Sequence, residues 1–416
     1  MRVCFISRRF FPTISGMSVY ALNLVRQLAA AGHDVVMVSQ HYGGQAATVY
    51  GDGPPMPVEG VETIGMESVG EQSTGDFEGD IEDIVRVIEE KHAEKPFDVI
   101  HAQYGYPTGL AALEASRRTG VPNVVSIQGG DGHWVGECCG THREAMLAVL
   151  GHAGAVLIGS ASFARAVHDR LGTPLERFTV VPGAVNVDRF QPRGDREVGA
   201  LGDPPTLLYH GRVDRRKGVL DLLDAVDLLR QPKVGAGRRG ADVRLVVSGI
   251  GPDVDAVDEH VAALGLADAV DVLGVAGYPE APARYHAGDV FVSPTYAEGF
   301  SNTILEAMAS GLPIVSCEVV GVVDCLEDGR DALLVPPRSP AVLADAIERL
   351  LADGALRRRL AETALDEART LYSWTARAQQ IAGVYESLRG TAPDDAWTYD
   401  WTDPDDCVYR VTPQLL

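Results

Sequence analysis

Residues 294–316 read PTYAEGFSNTILEAMASGLPIVS, and their pattern decides the fold around them. Phe291–Pro294 closes an apolar, strand-like run, and Glu298-Gly299-Phe300 forms a loop. Ser301 or Asn302 is placed to cap a helix running to about Ser310. Gly311 stops that helix, Pro313 keeps it stopped, and Ile314-Val315 opens another strand. The spacing predicts strand, loop, helix and strand, with a helix N-terminus facing the loop. Free backbone N–H groups and a partial positive charge there suit a phosphate. Glu298 and Glu306 bracket the same loop. Carboxylates accept hydrogen bonds from hydroxyls rather than bind phosphate. An anion cradle between two hydroxyl acceptors matches a nucleotide sugar, with the diphosphate central, ribose on one side and hexose on the other.

The chain around this stretch has 416 residues, 46% hydrophobic and 23% charged. Single cores seldom grow past about 250–300 residues, so two soluble globular domains are expected. Strand-like runs alternate with helical ones, which predicts α/β architecture with parallel sheets. A net charge of −22 disfavours nucleic acid and anionic membrane surfaces as partners and favours a small cationic substrate. Only Lys91, Lys95, Lys217 and Lys233 break an otherwise arginine-based cation set, so Lys217 stands where arginine would be the compositional default. Six cysteines in a chain this long do not make a disulfide framework. No apolar run reaches the ~18 residues of a membrane-spanning helix. Ser7–Phe11 (SRRFF) imitates a twin-arginine export motif, but Pro12, Asn23, Arg26 and Gln27 follow in place of an apolar segment. A cytoplasmic protein is expected.

Taken in order, the first strand is read at Val3–Ser7, then a turn at Gly16, a helix through Val19–Leu28 stopped by Gly32, and a strand at Asp34–Ser39. The Gly16 turn is not the G-x-G-x-x-G of dinucleotide enzymes, which disfavours a Rossmann oxidoreductase. Residues 41–79 read as a mobile loop with edge structure at Val61–Ile64, followed by a helix at Asp80–Ala93 and strands at Phe97–His101 and Val121–Ile127. Gln128–Trp134 (QGGDGHW) then sits at a strand's C-terminal end. Asp131 and Glu137 are the carboxylates best placed to meet a cationic acceptor. His133, Cys138, Cys139 and His142 invite a zinc reading, yet adjacent cysteines rarely ligate one metal together and the spacing is not a standard one. No metal is expected there; the thiols are read as packed at the start of the next helix. Ala155–Gly159 and Phe178–Val181 are strands on either side of a helix at Ser160–Leu171, and a Pro-, Gly- and Asp-rich linker is placed at 186–204.

Leu207–His210 opens the second domain and leads into GRVDRRKG, where Arg212 and Lys217 are spaced to converge on one diphosphate. Strands follow at Val243–Ser248, Val270–Leu273 and Asp289–Ser293, a further one at Leu333–Pro336, and helices over 340–389. The tail, 390–416, holds Trp397, Tyr399, Trp401, Tyr409 and an acidic DPDD run.

Glu298 and Glu306 with seven residues between them, together with GRVDRRKG, Gly249-Ile250-Gly251-Pro252 and Ser15-Gly16, resemble the retaining GT-B glycosyltransferases of family 4. The resemblance covers roughly the first 385 residues. It implies a GT-B fold: two Rossmann-like, doubly wound parallel-sheet domains facing a central cleft. The implied bounds are 1–190 on the acceptor side, 205–375 on the nucleotide-sugar side, and a helix and tail, 376–416, crossing back to the first domain. Arg212 and Lys217 would stabilise the leaving diphosphate, Glu298 would hold the hexose hydroxyls and Glu306 the ribose hydroxyls. Gly299, Phe300, Ser301, Asn302 and Thr303 would lie against sugar and phosphate, Gly274 and Val275 against the nucleobase, and Gly16 would allow close approach of the phosphates. Gln128 stands where the family commonly has a sugar-contacting histidine; its amide can still meet a hydroxyl, and His133 is the nearby substitute. The family's leaving phosphate oxygen is thought to take the acceptor proton, so no side-chain base is named. No DxD lies at a strand end, so no metal cofactor is expected.

ISRRFFPTISGMSVYALNL and HAQYGYPTGLAALEASRRTGVPNVVSIQGGDGHWVG narrow the resemblance to the transferases that glycosylate 2-deoxystreptamine in aminoglycoside antibiotic biosynthesis. That acceptor is a small dication, in keeping with the acidic balance, and the donors of that group are UDP-N-acetylglucosamine or UDP-glucose. A lipid acceptor would call for a basic amphipathic helix. An inositol phosphate acceptor would call for a cationic cluster, for which Arg117-Arg118 is the one nearby pair. A non-catalytic nucleotide-sugar binder is the third alternative, and the intact set Arg212, Lys217, Glu298 and Glu306 speaks against it.

Overall fold

The computed structural model describes residues 1–41, 51, 53–68, 77–232, 240–399 and 407–411. Trp401, the acidic run at 403–406, Lys233 and, from the loop read at 41–79, residues 42–50, 52 and 69–76 lie outside the described residues. The chain forms two compact units, Met1–Gly183 with Trp374–Leu416, and Ala184–Ser373.

The first unit is a seven-stranded parallel sheet: β1 (Arg2–Ser7), β2 (Asp34–His41), β3 (Val61–Glu67), β4 (Val99–Gln103), β5 (Asn123–Ile127), β6 (Ala155–Ile158) and β7 (Phe178–Val180), in the order β3-β2-β1-β4-β5-β6-β7. The second is a six-stranded parallel sheet: β8 (Thr206–His210), β9 (Arg244–Ser248), β10 (Val270–Gly274), β11 (Val290–Ser293), β12 (Ile314–Cys317) and β13 (Leu333–Val335), in the order β10-β9-β8-β11-β12-β13. Helices on both faces bury both sides of each sheet. Val3–Ile6 and Val290–Val292 are therefore uninterrupted apolar runs with no exposed surface. In each sheet the strand order reverses once, between β1 and β4 and between β8 and β11. Open α/β sheets bind ligands at such switch points, beyond the strands' carboxyl ends.

Several expectations shift by a few residues, each for a local reason. The edge segment expected at Val61–Ile64 runs to Glu67, because every residue of β3 pairs with β2 from Val35 to His41. β4 begins at Val99 rather than Phe97, since Asp98 turns aside to accept the backbone N–H of Arg2 at 2.7 Å. The segment read as a linker, 186–204, is built into the second unit. Buried Asp289 accepts from Arg196 and from the backbone N–H groups of Gly202 and Thr206.

The helix Trp374–Leu388 packs on the first sheet. Trp374 meets the Tyr20 ring edge-on at 5.3 Å. Tyr385 hydrogen-bonds His101 Nδ1 at 2.5 Å, and Ser126 meets His101 Nε2 at 2.6 Å. Burial pushes His101 down to about 3, so this core imidazole is neutral.

Candidate active site

In the second unit the loops after β8 and β11 flank the switch point, and they carry the residues the sequence singled out. After His210 and Gly211, Arg212 places Nε 3.2 Å from Asp214 Oδ2. Asp214 opens a short helical turn, Arg215–Lys217, by accepting the N–H of Arg216 at 2.9 Å. Burial pushes the Asp214 carboxyl up, but the hydrogen bonds from Arg216 and the charge of Arg212 outweigh it and hold the group below its ordinary value. Arg216 grips the same carboxylate, and Arg215 is taken up by Asp253 at 2.6 Å. Of the four cations in this loop, the turn delivers Lys217 to the other loop: its Nζ lies 2.8 Å from Glu298 Oε1 and donates to Ala297 O at 3.1 Å.

The two loops are stitched together by their backbones. Tyr296 N donates to Arg216 O at 3.1 Å, and the Tyr296 hydroxyl donates to Asp221 at 2.9 Å. Gly218 (φ 69°) closes the turn so tightly that a Cβ there would lie 2.0 Å from Pro294 O. Glu298 is fixed from the far side, with its N–H donating to Val320 O at 3.0 Å and its carbonyl 2.1 Å from where a Cβ on Gly321 (φ 80°) would stand. Both positions require glycine, for space and for backbone conformation. Gly321 is a site residue that sequence reasoning missed; a bare glycine between Val320 and Val322 carries no signal of what it packs against.

Beyond Glu298, Gly299 is buried and the Phe300 ring lies 5.8 Å from that of Tyr372. Ser301 caps the helix Asn302–Ala309, its Oγ 3.4 Å from Ile304 N and 3.2 Å from Thr303 Oγ1. Asn302 and Thr303 supply the first helical turn. One turn further in, Glu306 is buried and accepts from the Tyr285 hydroxyl at 2.6 Å. Burial raises the Glu306 carboxyl to about 7, against the opposing effect of the Tyr285 hydrogen bond. Tyr285 and Tyr209 are further missed residues. The Tyr209 hydroxyl donates to Arg212 O at 2.5 Å and feels Glu298, Asp214 and Arg212 together, so this buried phenol underlies the site. Gly274 ends β10 with φ 63° and accepts from Gly249 N at 2.8 Å, while Val275 beside it is exposed.

In the first unit, Gly16 opens the helix Gly16–Ala30 directly after the β1 loop, with Ser15 as the cap accepting from Ser18 N at 3.2 Å. Gln128 follows β5, and the Tyr20 hydroxyl of that first helix lies beside it and Ser126. Two of the acceptor candidates have partners of their own in this structure. Asp131 has no exposed surface; its carboxylate accepts from Gly105 N at 2.8 Å, Gly129 N at 2.8 Å and Gln128 N at 3.1 Å. It clamps the loops after β4 and β5 together. Burial raises its carboxyl above the ordinary value despite those amides. The half-buried His133 ring is stacked 4.4 Å from Phe163 and 5.4 Å from Trp134. Glu137 is exposed and 3.9 Å from Arg170 Nε. Cys138, Cys139 and His142 are brought together with Cys407, a partner no local spacing could show.

Two Rossmann-like units, the second gathering Arg212, Lys217, Glu298 and Glu306 on the loops and helix beyond its switch point, are the architecture of a two-domain transferase. Residues 15–184 match the family described as glycosyl transferase 4-like domain, and residues 204–353 that described as glycosyl transferases group 1. The D-inositol 3-phosphate glycosyltransferase of Frankia alni is 30% identical over 390 residues, spanning 89% of this chain and 94% of that protein. This chain belongs to the group 1 glycosyltransferases, and its two parallel-sheet units are of the GT-B class. The alpha-D-kanosaminyltransferase of Streptomyces kanamyceticus is 36% identical over 193 residues, a match spanning 46% of this chain and only about half, 48%, of that protein. Among solved structures, sucrose-phosphate synthase from Thermosynechococcus elongatus superposes with a TM-score of 0.78 at 24% identity, covering 93% of this chain and 98% of its own. Anabaena HepE in complex with UDP and glucose superposes with a TM-score of 0.72 at 17% identity, covering 93% and 100%. No described helix is long and apolar enough to cross a membrane.

Proposed function

We propose that the chain transfers N-acetylglucosamine, or glucose, from its UDP-sugar to 2-deoxystreptamine, with retention of anomeric configuration and without a catalytic metal. The observation that carries the reading is the 36% match to an alpha-D-kanosaminyltransferase, a transferase of an amino sugar, which supports the aminoglycoside resemblance and through it the acceptor class. The acidic balance, −22 overall, agrees with a dicationic acceptor. The UDP complexes of HepE support a uridine diphosphate donor.

In this reading Arg212, Lys217 and the helix N-terminus at Ser301–Thr303 stabilise charge as it grows on the leaving diphosphate. Such preorganised groups are each worth about 2.7–4 kcal/mol of barrier. Lys217 serves two partners. Its 2.8 Å pair with Glu298 holds that carboxylate in place for the hexose hydroxyls, and its charge remains within reach of the phosphates. Glu306, anchored by Tyr285, accepts the ribose hydroxyls. The departing phosphate oxygen takes the acceptor proton, which leaves no role for a side-chain base.

The inositol phosphate glycosyltransferases supply a second reading. The cation pair considered for such an acceptor is already engaged: Arg118 is bound by Glu82 at 2.7 Å and Glu114 at 2.6 Å, and Arg117 by Glu114 at 2.5 Å. A mass-spectrometric product assay tests both readings, pairing each of UDP-N-acetylglucosamine and UDP-glucose with 2-deoxystreptamine and with D-inositol 3-phosphate, no metal added. A pseudodisaccharide from 2-deoxystreptamine is the expected product. Product only from the inositol phosphate replaces the acceptor, and UDP release without either product removes both.

A further inference from the structure

We propose that Cys138, Cys139, His142 and Cys407 form a structural zinc site that fastens the C-terminal segment to the loop before the helix Gly140–His152. Their ligand atoms all lie within 4.8 Å of one another. Cys138 Sγ and Cys407 Sγ are 3.2 and 3.3 Å from His142 Nδ1. Zinc bonds of about 2.3 Å to sulfur and 2.0–2.1 Å to nitrogen give a coordination tetrahedron with edges of about 3.4–3.8 Å. The two measured edges are close to that spacing. Closing the group around an ion therefore needs small side-chain adjustments and no rearrangement of the chain.

Three thiolates and one imidazole are a donor set for zinc rather than for a hard cation such as magnesium or calcium. Four protein ligands fill a tetrahedron, so no position is left for water or substrate, and the site is structural. The doubt raised by adjacent cysteines is met by the local backbone. Cys139 is extended (φ −167°, ψ 166°) and caps the helix, its Sγ 3.4 Å from His142 N, while Cys138 reaches the same ring from one residue earlier. The fourth ligand comes from 265 residues away, which is why spacing within 133–142 gave no zinc pattern. His133, included in that first grouping, lies against Phe163 and takes no part.

The surroundings fit a closed site. Cys407 has no exposed surface, and the His142 ring is packed by Tyr106 at 4.6 Å, Phe77 at 5.9 Å and Tyr409 at 6.5 Å. A divalent ion on three thiolates carries net charge −1, and Arg8 and Arg410 both act electrostatically on His142. Binding displaces three thiol protons to solvent and involves no redox step. The site takes no part in the transfer reaction, so it stands or falls separately from the proposed function.

The test uses full-length protein purified under reducing conditions without chelator. Elemental analysis is expected to find about one zinc per chain, and cobalt(II) exchanged into the same protein is expected to show the visible bands of a tetrahedral thiolate site. Cys407→Ser should lower zinc affinity at least about 100-fold and speed tryptic cleavage at Arg410, whereas Cys4→Ser, a buried thiol elsewhere, should change neither. The proposal is overturned if reduced protein takes up no zinc in equilibrium dialysis, or if Cys407→Ser holds zinc as tightly as the parent. It is equally overturned if the thiols are joined as a disulfide, read as a loss of two hydrogens in the intact mass, and reduction restores no uptake.

Discussion

The loop after β11 and the loop after β5 are built from similar parts and put to opposite use. Each follows a fully buried parallel strand, each is glycine-bearing, and each holds a carboxylate within a few residues of the strand end. Asp131 turns inward, where backbone amides from two loops occupy its oxygens. Glu298 turns toward a cationic side chain, with 16% of its own side chain still open to solvent. An amide clamp cannot be released without leaving buried N–H groups unpaired, which costs about 1–3 kcal/mol for each group. A partly open ion pair contributes about 0–1 kcal/mol and can be re-formed around a ligand. The partner that satisfies a carboxylate thus decides whether it belongs to the architecture or to the chemistry.

Three substitutions or titrations press on that difference. Lys217→Ala is expected to have the largest effect, a fall in kcat of about 100- to 1000-fold with little change in thermal stability. An unchanged kcat would make the Lys217–Glu298 pair as structural as the Asp131 clamp. Asp131→Ala is expected to do the reverse, lowering unfolding free energy in a denaturant titration by about 3 kcal/mol or more, since three amides lose their acceptor, while leaving the KM for acceptor near its original value in the protein that remains folded. A raised acceptor KM with unaltered stability would return Asp131 to the acceptor site. The smallest effect concerns Glu306, whose carboxyl burial raises to about 7. Its folding contribution is largest below the unfolded value and is lost as pH rises through about 7, because the folded state holds the proton more tightly. Donor binding runs the other way, since hydroxyls donate to the carboxylate. The KM for UDP-sugar should therefore drop by about tenfold between pH 6 and pH 8, and Glu306→Gln should flatten that profile.

The candidate donor side was largely legible because its residues lie at short, fixed spacings. Arg212, Lys217, Glu298, Ser301 and Glu306 sit on two loops and one helix whose strand, turn and cap signals are local. The acceptor half was less so. What surrounds Asp131 and His133 depends on Gly105 and Phe163, neighbours brought in from another loop and another helix. Tyr285 and Gly321 were missed for the same reason, since each meets a residue more than 20 positions away, Glu306 and Glu298; Tyr209 was missed because a buried phenol within a strand reads as core, although its partner Arg212 is close by. The cysteine group shows the limit most plainly, since three of its members were noticed together and the fourth is Cys407.

The return of the helix Trp374–Leu388 to the first sheet also sets an order of events during synthesis. His101, at the centre of that sheet, has no Tyr385 to bond until a further 284 residues have been made. Ala184–Ser373 is contiguous and can fold as soon as it emerges. At about 5–20 residues per second its synthesis takes on the order of 10–40 s, during which the first unit waits with its Tyr20 face uncovered. The unit begun first is finished last, and the interval between is when a chaperone would have the most apolar surface to hold.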